Sequence, residues 1–389
     1  MIWLVWAASR AALLFVGLSA FHRDLVHDIR VYAAWSQVIA GGHFPVDDRW
    51  QYPPLAAVVM AAPRLLPLAY LPAFILLALL ADLLILLVLL RRGDSRTGAW
   101  TWTAGLALLG PLAHLRYDLF VTVFAVAALM VLPRQRLFGA LAAVGTMLKL
   151  WPVLLLMGLP RDRRSFSALT AFAATTLATL ACGALFAPGQ LGFLQGQQNR
   201  GIEIEAVAAT PWQAARLLGH PTKIVHQYGC AQFTTLTALA PLCALSTLIG
   251  LALVAALALL RPPATWTPAA ACDVALAATL VAIVTSRVLS PQYLIWAIGI
   301  GAAALAHTNS RQRPTVLAIL VAALLTQLVF PIGWQGLTSK HPDHLAVVSL
   351  VARNLLLVTS ALLAITRLWQ PRASQERHSQ SRSLSMQSA

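Results

Sequence analysis

Residues 137–160 read "LFGALAAVGTMLKLWPVLLLMGLP", an apolar run interrupted by one cation, Lys149. As a straight helix it would extend about 36 Å, enough to cross a bilayer once. Its flanks forbid a single crossing. Arg134 and Arg136 precede it and "RDRR" at 161–164 follows it, and basic clusters of this kind mark the cytoplasmic side of a membrane protein. The run must therefore enter and return. Lys149 is costly in lipid and Pro152 has no backbone donor, so the break is expected at "KLWP", 149–152, as two short helices meeting in a protein-lined cavity.

The rest of the chain has the same character. Of 389 residues 59% are hydrophobic and 11% charged, a composition that excludes an ordinary water-soluble domain. Long apolar runs at 1–21, 68–90, 165–187, 233–260, 268–287, 314–333 and 344–368, with shorter ones at 99–113, 119–132 and 291–306, predict an all-α polytopic protein. The first run carries Arg10 and lacks a small-residue cleavage site, so it reads as a retained helix. One transmembrane domain over 1–370 and a polar cytoplasmic tail over 371–389 are expected. The formal charge of +15 would suggest nucleic acid in a soluble protein, but the basic residues fall in short clusters between apolar runs and no recognition fold accompanies them. Cys182, Cys230, Cys243 and Cys272 form no metal or redox spacing and read as packing residues.

Placing Arg91 and Arg92, Arg134 and Arg136, 161–164, Arg261, Arg311 and Arg313, and the tail in the cytoplasm gives roughly twelve passes, with short or re-entrant segments among them. The loops left on the other side are 22–54, 114–118, 149–152, 188–232, 286–293 and 334–343. These hold eight of the 13 acidic residues, more than orientation requires. The functional face is therefore expected to be extracytoplasmic, on a plasma membrane.

The first of these loops contains "HDIRVYAAWSQVIAGGHFPVDDRWQYPP", 27–54. Asp28, with Tyr32 and Trp35 at helical spacing, suits a general base flanked by rings that stack on sugars, and equally a solvated interfacial helix with belt aromatics. Asp47, Asp48 and Tyr52 lie in a Gly- and Pro-rich turn leading back to the membrane. The aspartates could hold a divalent cation with Asp28, but adjacent aspartates in an extended chain point apart, so no metal or other cofactor is expected. Arg116 in "RYD", Lys149 and Arg287 suit a lipid-borne phosphate, and the first two suit internal salt bridges as well, Arg116 with Asp118 for one. Arg200, Glu203 and Glu205 in "QQNRGIEIEA" fit hydrogen bonding to sugar hydroxyls or an exposed loop. Ser290 and Pro291 read as the cap and first turn of a helix, and Asp82 and Asp273 as partnered residues of the bundle.

Taken in order, "DIRVYAAW", "GGHFPVDDRWQYPP", "RYDL", "KLWP", "NRGIEIEA" and "SPQYLIW" resemble actinobacterial glycosyltransferase family 87, a branch of the multi-spanning GT-C superfamily. The resemblance implies inverting transfer of a sugar, usually mannose, from a polyprenyl-phosphate donor to a glycolipid or polysaccharide acceptor of the cell envelope. By the same analogy Asp28 is the base, and Lys149, Arg116 and Arg287 hold the donor phosphate. Tyr32, Trp35, Asp47, Asp48, Tyr52, Arg200, Glu203 and Glu205 are left for sugar and acceptor. Arabinofuranose transfer within the superfamily is one alternative. A transporter or flippase of a lipid-linked sugar is another, although no internal repeat is visible and the polar residues gather on one side.

Overall fold

A computed structural model describes residues 1–45, 50–186, 190–194, 201–220, 222–233, 239–260 and 266–370. Asp47, Asp48, Arg200, Arg261 and the tail 371–389 lie outside the described residues. The chain is an all-α polytopic membrane protein. Six helices are long and apolar enough to cross a membrane: Ile2–Ala20, Tyr70–Arg92, Ser165–Leu185, Pro268–Thr285, Arg313–Ile332 and His344–Leu368. The expectation of roughly twelve passes also counted shorter segments, and these are present as the helices Thr97–Leu109, Asp118–Met130, Gln135–Leu148 and Tyr293–Leu305. Leucines and valines on the outer faces of the peripheral helices remain uncovered, as a surface meeting lipid requires.

Charges inside this bundle are matched by partners. Asp82, fully buried in Tyr70–Arg92, receives the Arg10 Nε at 2.7 Å and the Trp102 indole N–H at 2.7 Å, and lies 2.9 Å from His114 Nε2. Arg10 also donates to the Thr103 carbonyl at 2.8 Å. This knot fastens the first helix to Tyr70–Arg92, to Thr97–Leu109 and to the 3-10 turn Pro111–Leu115. Arg116 follows directly on that turn. Asp273 accepts from the Ser310 hydroxyl at 2.7 Å. On the loop side Arg353 donates to a Glu205 carboxylate oxygen at 2.7 Å and to the Glu205 carbonyl at 2.8 Å. Burial pushes the Glu205 carboxyl up to about 7 against the pull of that guanidinium.

The break in 137–160 falls at Lys149. The helix Gln135–Leu148 stops there, Lys149 is extended (φ −157°, ψ 135°), and Trp151–Gly158 continues as a 3-10 helix with Pro152 in its first turn. The return segment is therefore 3-10 rather than a second short α-helix. Both arms are held from outside: Gly139 of the entering helix lies so close to the Ala168 carbonyl, and Gly158 of the return segment to the Ala271 carbonyl, that a Cβ at either would collide with backbone. A second expectation shifts at "SRVLSPQY". The helix begins at Tyr293 rather than Pro291, with Gln292 at its N-cap, and the Ser290 hydroxyl donates to Glu203 instead of capping.

The loop 201–233 carries the strands Ile202–Glu203, Ile224–Gln227 and Cys230–Phe233, an antiparallel sheet with the last strand in the centre. The Glu203 N–H donates to the Arg287 carbonyl at 3.0 Å, tying the sheet to the bundle.

Because backbone cannot move aside as a flexible side chain can, Gly139→Ala should cost about 1–3 kcal/mol. Thermal unfolding in lipid nanodiscs measures it, and an unchanged midpoint contradicts the close helix contact.

Candidate functional site

The helix His22–Ala40 is amphipathic, with buried Leu25, Val26 and Ile29 facing the bundle. Asp28, Val31, Tyr32 and Trp35 are spaced i, i+3, i+4, i+7 and so share one stripe of it. That stripe lines a cavity of about 550 Å³. Tyr52, Lys149 and Arg287 line it too, so six of the residues selected from sequence meet at one cavity.

Arg116 stands behind Asp28 instead of on the wall. Its Nε lies 3.0 Å from Asp28 Oδ2, and its Nη1 donates to the carbonyls of Leu25 and Leu115, both at 2.9 Å. The guanidinium is nearly fully buried while the Asp28 side chain keeps 30% of its surface exposed. Arg116 thus fixes the carboxylate and leaves it accessible from the cavity. Its position gives the phosphate role no support. The expected Arg116 and Asp118 bridge is replaced by two pairs, Arg116 with Asp28 and Lys149 with Asp118.

Lys149 Nζ contacts Asp118 Oδ1 at 2.8 Å, and the same oxygen accepts the Trp296 indole N–H at 2.7 Å. Aromatic rings surround the ammonium: Trp296 at 4.8 Å, Tyr117 and Tyr293 at 5.1 Å, and Tyr52 at 6.0 Å from the ring centroids. Ring faces attract a cation and here also exclude water from it. Trp151, Trp296 and Tyr293 stack, at 5.1 Å and 3.9 Å, as the floor of this cage. The side chain still reaches the cavity, 17% exposed. Lys149 is therefore both a member of a buried ion pair and a cation facing the cavity.

Tyr32 and Trp35 are nearly buried, packed with Trp50, Tyr52 and Tyr117 at centroid separations of 4.9 to 6.2 Å, and offer the cavity little exposed surface. Burial pushes the Tyr32 hydroxyl well up, so it stays a neutral group. Glu203 is buried beneath Ser290 and does not line the cavity, and Glu205 is taken by Arg353. Part of the lining is aliphatic: Leu150, Leu154, Leu251 and Val254, of which Leu150 and Leu251 are exposed.

Sequence reading missed several lining residues. His27 and Gln51 sat beside selected positions, and Tyr293 and Trp296 lay inside a quoted motif. The hairpin tip Tyr228 to Cys230 had a signal, two short runs separated by the two residues "YG". Cys230 lines the cavity and Cys182 is exposed, so of the described thiols only Cys272 is the packing residue expected. Among the described residues no group of three or more His, Cys, Asp or Glu could hold a metal ion.

A family model described as glycosyltransferase family 87 matches residues 50–291, well over half of the chain. The match spans Tyr52, Lys149 and Arg287, and Asp28 precedes it. No curated protein and no solved structure matches the chain.

Breaking the Lys149 pair strands a buried carboxylate, so Lys149→Gln should lose about 3 kcal/mol of stability, while Lys149→Gln with Asp118→Asn should recover most of it. Thermal unfolding of the two variants beside the wild type checks this. Equal loss in both contradicts the pairing.

Proposed function

The chain belongs to glycosyltransferase family 87, and from that premise we propose that it transfers a sugar, mannose, with inversion, from a polyprenyl-phosphate donor to a glycolipid or polysaccharide acceptor on the extracytoplasmic face of the plasma membrane. The observation that carries the proposal is that Asp28, Lys149 and Arg287 line one cavity with an aromatic wall and an aliphatic one.

Each part of the reaction has a group suited to it. An acceptor hydroxyl gives its proton to Asp28 as its oxygen bonds to the anomeric carbon. The bond from that carbon to the phosphate oxygen breaks on the opposite side, and the electron pair leaves with polyprenyl phosphate. Lys149, strengthened by its water-poor cage, and Arg287 face the charge that develops there. Arg116 holds the Asp28 carboxylate in place, so attack begins from an oriented base. The aliphatic side, through Leu150 and Leu251, opens towards lipid and suits the prenyl chain. This chemistry asks for no nucleotide and no metal.

The test is incubation of the purified protein in nanodiscs with radiolabelled polyprenyl-phosphate-mannose and envelope glycolipids. Transfer is expected, and Asp28→Asn should lower it by roughly a hundredfold while donor binding persists. Transfer of arabinose alone overturns the choice of sugar. Near-normal turnover by Asp28→Asn overturns the choice of base.

A further inference from the structure

The strands Ile224–Gln227 and Cys230–Phe233 pair with Gln227 opposite Cys230, leaving Tyr228 and Gly229 as a two-residue turn. Both turn residues have positive φ, 52° and 73°. Turns of this hand suit the twist of a hairpin and favour Asn, Asp or Gly in the first position, since a larger side chain is disfavoured in the left-handed region. Tyrosine takes that position here. Tyr228 is the one non-glycine residue with positive φ among the described residues. Its turn also lines the cavity.

The strands behind the tip are tied together and to the bundle. The Gln232 amide oxygen accepts from the Gly201 N–H at 2.9 Å, and its amide nitrogen donates to Gln227 at 3.0 Å. The Ile204 N–H donates to the Ala231 carbonyl at 3.1 Å, and Glu203 links the same sheet to Arg287 and Ser290. A wall that carries Arg287 therefore also carries Tyr228. Tyr228 is part-exposed, as are Tyr52 and Tyr293 in the same lining, whereas Tyr32, Trp35 and Trp296 are nearly buried. A ring placed at a strained turn, braced from behind and facing a cavity, is a surface for a flat partner.

We propose that Tyr228 is a sugar subsite, its ring stacking on the C–H face of a hexose ring bound in the cavity. The inference rests on the glycosyltransferase reading and adds the residue that selects a ring there. The ring belongs to the transferred sugar or to a sugar of the acceptor, and the two sources separate by kinetics.

Tyr228→Asn is the informative variant, because asparagine suits the turn better than tyrosine and lacks the phenol ring, while Tyr228→Phe removes the hydroxyl alone. Its KM should rise about 5- to 10-fold for one substrate, with a melting temperature no lower than wild type. A rise for the donor assigns the transferred sugar, and a rise for the acceptor assigns the acceptor sugar. Tyr228→Phe should stay near wild type. Unchanged KM values in Tyr228→Asn, equal impairment in Tyr228→Phe, or a lowered melting temperature in Tyr228→Asn would each overturn the subsite. A second readout needs no turnover. In nanodiscs, with Cys182, Cys243 and Cys272 replaced, octyl mannoside should slow maleimide labelling of Cys230 several-fold in the Tyr228 and Tyr228→Phe backgrounds but not with Tyr228→Asn. Equal protection in all three overturns the subsite even if transfer is observed, and protection as expected without transfer counts against the transferase reading alone.

Discussion

A charge carried into an apolar bundle must meet its opposite there, since water cannot reach it and lipid cannot solvate it. This constraint organises the protein. Arg10 and His114 meet at Asp82, Arg353 meets Glu205, and each knot fixes segments distant in sequence. Two further pairs obey the same rule but lie at the edge of a cavity. Arg116 with Asp28, and Lys149 with Asp118, each leave one member facing it. The requirement that fixes the helices also orients a carboxylate and an ammonium towards a shared space.

The all-α membrane architecture was legible in the sequence because apolar run length is a local property. So was the break at Lys149, where a charge and Pro152 interrupt an apolar run. The pairing within "RYD" was not. Arg116 and Asp118 are two residues apart, but the chain passes from an extended residue into a helix between them, and their side chains find different partners 88 and 31 positions away. Neighbouring in sequence is poor grounds for pairing where such a turn intervenes. The roles expected of Glu203 and Glu205 met the same obstacle. Both are buried against distant segments, which loop polarity alone does not reveal.

The cavity is asymmetric in a way that suits two dissimilar substrates. Aromatic rings cluster around Lys149 and Asp28, aliphatic side chains line another part, and Tyr228 of the small sheet and Arg287, whose carbonyl accepts from that sheet, complete the lining. The 3-10 segment after Lys149 contributes to both the cage and the aliphatic wall, through Trp151 and Leu154. The segment that interrupts one long apolar run is therefore also the segment that builds the site.

The proposed transfer requires the donor phosphate to sit in this cavity opposite the Asp28 carboxylate. A structure of the Asp28→Asn variant in nanodiscs with an intact polyprenyl-phosphate sugar tests this most directly. The phosphate is expected against Lys149 and Arg287, with the prenyl chain leaving past Leu150 and Leu251 and the anomeric carbon turned towards position 28. A phosphate bound outside this cavity, for instance among Arg134, Arg136 and Arg164, would contradict it.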